Sequence, residues 1–206
     1  TGIVTKEGPG YLALQGNIAS GGTVVNGGNL RVLAWPQEYH GLVQGPVTVN
    51  AGARLTVEGD VLGDTLINAG GVLAGFFGGM VNVDVRGGTL APSGLGISGN
   101  LRMSDGAIFS AQYDLPSVSG NVNLIEVSVE GEVELIDPTL QVSLQPGVDI
   151  TPGARSILMS LREPAVGFFR DLPEGQRFAL GGQVFTIRYG SGLYGISLFA
   201  GEPFVW

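Results

Sequence analysis

The chain has 206 residues, 36 of them glycine, with 44% hydrophobic residues, 14% charged and a formal net charge of −8. Apolar residues in short runs broken by glycine exclude a disordered solvating segment, which needs high charge and low hydrophobicity; the acidic balance argues against nucleic acid, whose phosphates require clustered Lys and Arg. No run reaches the roughly 18 apolar residues of a membrane span, no charged-then-apolar signal segment opens the chain, and without cysteine stability must come from packing and backbone ladders.

Residues 1 to 35 read as short β-runs, each closed by glycine. The chain opens at Thr1 in mid-pattern, which reads as a piece of something longer. The stretch Asn26-Gly27-Gly28-Asn29-Leu30-Arg31-Val32 sets the template: a polar or glycine turn, then a strand pointing aliphatic residues inward. Residues 35 to 46 interrupt it with Trp35, Tyr39, two prolines and the sole histidine, His40, and predict a loop projecting between two strands. The pattern then resumes through residue 92. Aligning the residue that follows each glycine turn places Leu30, Leu55, Leu73, Leu90 and Ile108 in one register, at intervals of about 17 to 25 residues, the range of solenoid repeats.

A helical reading fails, because apolar residues alternate with period two, as in Leu55-Val57 and Leu140-Val142-Leu144, and glycine or proline punctuates each run before a helix can nucleate. A lone strand with one apolar face is unstable; stacked rungs of three short strands satisfy the backbone and merge their inward faces. The expected fold is therefore all-β, a parallel β-helix over residues 1–153 with a loop insertion at 35–46.

From about residue 93 the strand candidates lengthen, at 123–129, 132–136 and 139–144. Residues 154–206 carry Phe168, Phe169, Phe178, Phe185, Phe199 and Phe204, with strands at 156–160 and 184–189 and a hairpin turn at Leu180-Gly181-Gly182-Gln183. A solenoid exposes its last rung as an open edge, and this aromatic region is suited to close it. Phe168, Phe169, Phe178, Phe185 and Tyr189 are the expected cap core.

The chain resembles the C-terminal part of the passenger of a bacterial autotransporter, a type V secreted protein. Lys6, Gly8, Gly10, Leu12, Leu14 and Gly16-Asn17, followed by Gly21-Gly22-Thr23 and Gly28-Asn29-Leu30-Arg31-Val32, stand where that family's passenger-associated repeat has its lysine, glycines, leucine pair and tail. Gly87-Gly88-Thr89-Leu90-Ala91-Pro92 resembles the family's turn before its last rungs, and Leu172-Pro173-Glu174-Gly175-Gln176 with Phe185–Tyr189 resembles the passenger's end. The loop at 35–46 departs from the repeat. The resemblance implies a right-handed β-helix whose residues 154–206 act as an autochaperone, with rungs adding N-terminally. It also implies a cell-surface, outer-membrane or secreted location after periplasmic transit. The implied partners are the passenger's own C-terminal outer-membrane barrel and the outer-membrane assembly machinery, with host-cell surfaces or a second copy as further contacts. Three functions follow: a non-catalytic stalk presenting an N-terminal effector, an adhesin or self-association module, or the stalk of a protease or esterase.

No cofactor or metal is expected. The acidic residues Glu58, Asp60, Asp64 and Asp84 are candidates for paired carboxylates, but they read as a solvated outer face, with no basic partner in a recognisable lyase spacing. The Gly-Gly-x-Gly-x-Asp pattern of calcium-binding β-rolls is missing from the sequence. His40 lacks a Gly-x-Ser-x-Gly elbow or other protease serine motif, so this segment is expected not to be an enzyme. Trp35, Tyr39, His40 and Leu42 are the candidate partner contacts, since aromatic residues on a projecting loop are frequent contact residues.

Overall fold

Each of the first nineteen strands among the described residues pairs in parallel with the strand three places further on, so the chain coils through three walls. The computed structural model describes residues 2–18, 21–34, 41–113, 126–144, 151–190 and 192–201. Wall A stacks β1 (Ile3–Lys6), β4 (Gly22–Val25), β7 (Val47–Val49), β10 (Thr65–Ile67), β13 (Val83–Arg86), β16 (Leu101–Ser104), β19 (Val133–Ile136) and β22 (Val166–Phe168). Wall B stacks β2 (Tyr11–Leu14), β5 (Gly28–Val32), β8 (Ala53–Val57), β11 (Val72–Phe76), β14 (Thr89–Ser93), β17 (Ile108–Tyr113) and β20 (Thr139–Leu144). Wall C stacks β3 (Asn17–Ile18), β6 (Leu42–Val43), β9 (Asp60–Val61), β12 (Gly79–Met80), β15 (Leu95–Ile97), β18 (Val127–Val129) and β21 (Arg155–Leu161). It then reverses into antiparallel β25 (Gly192–Ala200), β24 (Gln183–Tyr189) and β23 (Arg177–Leu180).

The fold is an all-β parallel β-helix with a C-terminal β cap, which the glycine-punctuated alternation predicts. Its core is three stacked ladders. Val25, Val49, Ile67, Val85, Met103 and Leu135 line wall A. Leu30, Leu55, Leu73, Leu90 and Phe109 line wall B, and Val43, Val61, Met80, Ile97, Val129 and Leu161 line wall C. All are buried, and each contributes about 1.5–3 kcal/mol by leaving water.

The corner between walls A and B comes in two lengths, and this corrects one register expectation. Long corners contain a β-turn closed by the Ala53 N–H on Asn50 O, Gly71 N–H on Asn68 O, or Ala107 N–H on Ser104 O. Their third residue, Gly52, Gly70 or Gly106, has φ of 74 to 76°, which only glycine adopts freely. The corners after Asn26 and Arg86 are one residue shorter. At Gly28 (φ 66°) a Cβ would lie 2.1 Å from Gly10 O, so the stacked backbones leave no room for a side chain. Because Ser104 opens a long corner, the residue stacked on Leu90 is Phe109, and Ile108 stands outside the ladder on Thr89.

The loop expected at 35–46 is shorter on its C-terminal side. Leu42 and Val43 form β6, paired with Asn17–Ile18 above and Asp60–Val61 below, so Leu42 is a wall residue. Wall C strands near this end are two residues long, too short to register as a strand in the sequence. Residues 35–40 lie outside the described residues. The expected boundary at 153/154 falls just before β21, which pairs in parallel with β18 on one edge and antiparallel with β25 on the other. Sheet C thus runs unbroken from solenoid into cap.

Candidate functional site: the C-terminal cap

The cap is built where wall B runs out. Wall A continues one strand further, into β22, and Phe169 follows it directly. Its ring is 1% exposed and lies 5.9 Å from the ring of Phe109, the last fully buried member of the wall B ladder. Phe169 therefore plugs the end of the core. Phe185 is buried in the same core, as are Ile187, Ile196 and Leu198, and Phe178 stacks on Phe185 at 5.9 Å from a partly buried position. Phe168 corrects the expected cap core: it is 47% exposed and meets Tyr189 edge-on at 4.9 Å. Alternation along β22 decides this, since Ile136 and Phe168 are register partners on the outer face.

Tyr189, at the end of β24, locks the plug. Its Oη accepts the Phe169 N–H at 3.0 Å and donates to Leu172 O at 2.7 Å. Burial, above all, pushes the Tyr189 phenol up to about 12, with the negative charge of Glu174 adding to it against the Phe169 hydrogen bond. The Pro173–Gln176 turn has Gly175 at φ 77° and sets Glu174 against β24. Glu174 accepts the Tyr189 N–H at 2.6 Å and an Arg188 N–H at 2.9 Å. Burial pushes this carboxyl up, but those two donors outweigh it and hold the group below its ordinary value. The tight β23–β24 turn has Gly181 and Gly182 both at positive φ, the geometry that two-residue hairpins favour. Arg170 fastens the other side, its N–H on Pro138 O and its guanidinium on Asp137, both at 2.8 Å.

At the opposite end, Lys6 occupies a wall A position that is aliphatic in the rungs stacked below it. Its buried ammonium donates to the carbonyls of Glu7, Gly8 and Gly27 at 2.7, 2.8 and 3.0 Å. A chain of side-chain amides runs along the adjoining corner: Asn68 donates to Asn50, Asn50 to Asn26, and Asn26 to the Glu7 carboxylate, at 2.7, 2.6 and 2.6 Å. Tyr11 and Ile3 are exposed there and Leu12 is partly so.

Of the candidate partner contacts, Trp35, Tyr39 and His40 lie outside the described residues, and Leu42 is partly buried in β6. The four weighed carboxylates do not converge. Glu58 turns the B-to-C corner and binds Arg31, Asp60 lies on wall C, and only Asp64 and Asp84 share a surface. That surface is a groove of about 420 Å³ on the outside of wall A. In it the Asp84 Oδ2 takes Arg86 Nε at 2.8 Å, Arg102 binds Glu134 at 2.8 Å, and Asn82 donates to Asp64 at 2.8 Å. The bond and charge of Asp84 raise the Arg86 pKa. Arg86 stands two residues from Asp84 on the same strand, a pairing visible in the sequence, whereas Arg102 adjoins Asp84 only across rungs; the 18-residue step that separates Asp64 from Asn82 was the usable signal for it. No group of three or more potential metal ligands occurs among the described residues. Two further exposed rings, Phe76 and Phe77, meet edge-on at 4.7 Å on the B-to-C corner, Phe77 with φ 55°. No family model matches the chain, and neither does a curated protein or a solved structure.

Proposed function

We propose that this chain is a non-catalytic β-helical stalk with its own folding nucleus, the C-terminal segment of a surface-displayed autotransporter passenger that presents an N-terminal effector. The supporting observation is the unbroken passage of sheet C from cap to solenoid: β21 belongs to both. A cap formed first offers the β21 edge and the Phe169 plug as a template, and each later strand then finds a partner already in place. This removes the main kinetic difficulty of a solenoid, the costly first rung. The resemblance in residues 4–33 and 172–189 supplies the cellular setting, with the outer-membrane barrel and its assembly machinery as partners during export.

The test is display of this chain fused to an autotransporter barrel in a Gram-negative host. Deletion of 165–200 or Phe185→Asp is expected to abolish protease-resistant passenger at the surface while leaving synthesis unchanged. Normal folded passenger at the surface in both variants would overturn the reading. A second reading, an adhesive module, draws on Phe76 and Phe77, which are 57% and 75% exposed on the B-to-C corner. Cell-binding assays comparing the chain with a Phe76→Ser/Phe77→Asn variant separate the two: equal or absent binding leaves the stalk reading alone.

A further inference from the structure

We infer that the outer face of wall A binds a short, uncharged oligosaccharide, in the groove that crosses β7, β10, β13 and β16. This goes beyond the stalk reading and does not depend on it. Four rungs at about 4.8 Å spacing give the groove a length of roughly 14 Å, which suits a few sugar rings. Its floor carries Thr48 and Leu66, register partners on adjacent strands, followed in the same column by Asp84 and Arg102. Asp64 stands at one rim and Arg86 at the other end of β13 from it.

The chemistry of these groups selects the ligand. Asp64 uses one carboxylate oxygen on Asn82 and presents the other. Arg102 commits Nε to Glu134, and Arg86 commits Nε and one terminal nitrogen to Asp84, so each guanidinium keeps N–H donors for a ligand. Asp84 Oδ1 is unpartnered but closed off even from water, so the carboxylate acceptor that a ligand meets in the groove is that of the exposed Asp64. A sugar hydroxyl both donates and accepts, and a pyranose has a C–H face. That combination suits interleaved carboxylates and guanidiniums around the apolar Leu66 side chain. Two carboxylates and two guanidiniums cancel within the groove, and the chain as a whole is at −8, which disfavours a polyanion. An extended peptide would gain little, because backbone ladders already pair both edges of these strands.

Saturation-transfer NMR on the 206-residue chain, with cellohexaose, maltohexaose and chitohexaose as neutral probes and trigalacturonate as the anionic one, tests the assignment. At least one neutral probe is expected to show transfer and millimolar affinity. Asp64→Ala and Arg102→Gln should each weaken it about fivefold, the loss of one hydrogen bond, while Arg54→Ala on wall B leaves it unchanged. Circular dichroism melts confirm that each variant is folded, and the exposed Asp64 site serves if Arg102→Gln is not. Absence of transfer from all three neutral probes, tighter binding of trigalacturonate, or an equal loss in Arg54→Ala overturns the proposal.

Discussion

Tyr189 Oη is hydrogen-bonded to the backbone N–H of Phe169, whose ring ends the solenoid core, so the last residue of β24 holds the plug through a single phenol. Tyr189→Phe leaves the Phe169 N–H and the Leu172 carbonyl without that partner. Urea melts near neutral pH should show a loss of about 1–3 kcal/mol. The alkaline limb gives a second readout. The phenol is pushed up to about 12 in the fold, against about 10 in an unfolded chain. Its contribution is therefore complete below pH ~10 and disappears as pH rises through the folded value. The stability difference between wild type and Tyr189→Phe should shrink across that window; a constant difference would refute the lock.

Glu174 gives the opposite limb. Its folded pKa lies below the ordinary value, so its contribution is present above the unfolded pKa of about 4.3 and is lost as pH falls through the folded one. The protection factor of the Tyr189 amide, taken against the intrinsic exchange rate at each pH, should fall in acid in the wild type. In Glu174→Gln the same amide should be less protected already at pH 7 and nearly independent of pH in that range.

Phe169→Ala and Phe168→Ala are neighbours in sequence with different expected costs. The buried ring should cost about 3–5 kcal/mol, measured by chemical denaturation. The half-exposed ring at 168, which contributes mainly its edge-on contact with Tyr189, should cost about 0.5–1.5 kcal/mol. Equal costs would mean that the core does not end at Phe169.

Lys6→Met tests the other end. The thioether fills the aliphatic stem's space but leaves the carbonyls of Glu7, Gly8 and Gly27 without the ammonium. A loss of about 1–3 kcal/mol is expected, localised by faster amide exchange at Asn26 and Asn29, which bond the first rung, with β13 and β16 unaffected.

The solenoid was legible because its information is local and repeated: Leu30, Leu55, Leu73 and Leu90 stack in the register that their glycine turns imply. Where one residue changes a corner's length, as at Ser104, that reading slipped to Ile108, since a turn closed by the Ala107 N–H leaves only an Asp-Gly pair as its trace. Two-residue strands such as Leu42–Val43 carry too few side chains to show alternation. The cap's aromatic composition marked its place, but not which rings face inward: Phe168 and Phe169 differ only by the parity of β22. Arg86 and Asp84 lie two residues apart on one strand, but Arg102 joins them from the next rung, and only the rung length reveals that third member.

From β7 to β16 the stacked partners Val47, Thr65, Val83 and Leu101 stand a constant 18 residues apart. Length in this region is therefore a digital quantity. Excision of residues 65–82 would bring Val83 onto Val47, aliphatic onto aliphatic at every wall, and shorten the molecule by one strand spacing of about 4.8 Å, whereas removing a single residue from within a strand would turn the side chains that follow it in that strand to the wrong face. The length of such a solenoid can thus change by whole units without a new fold.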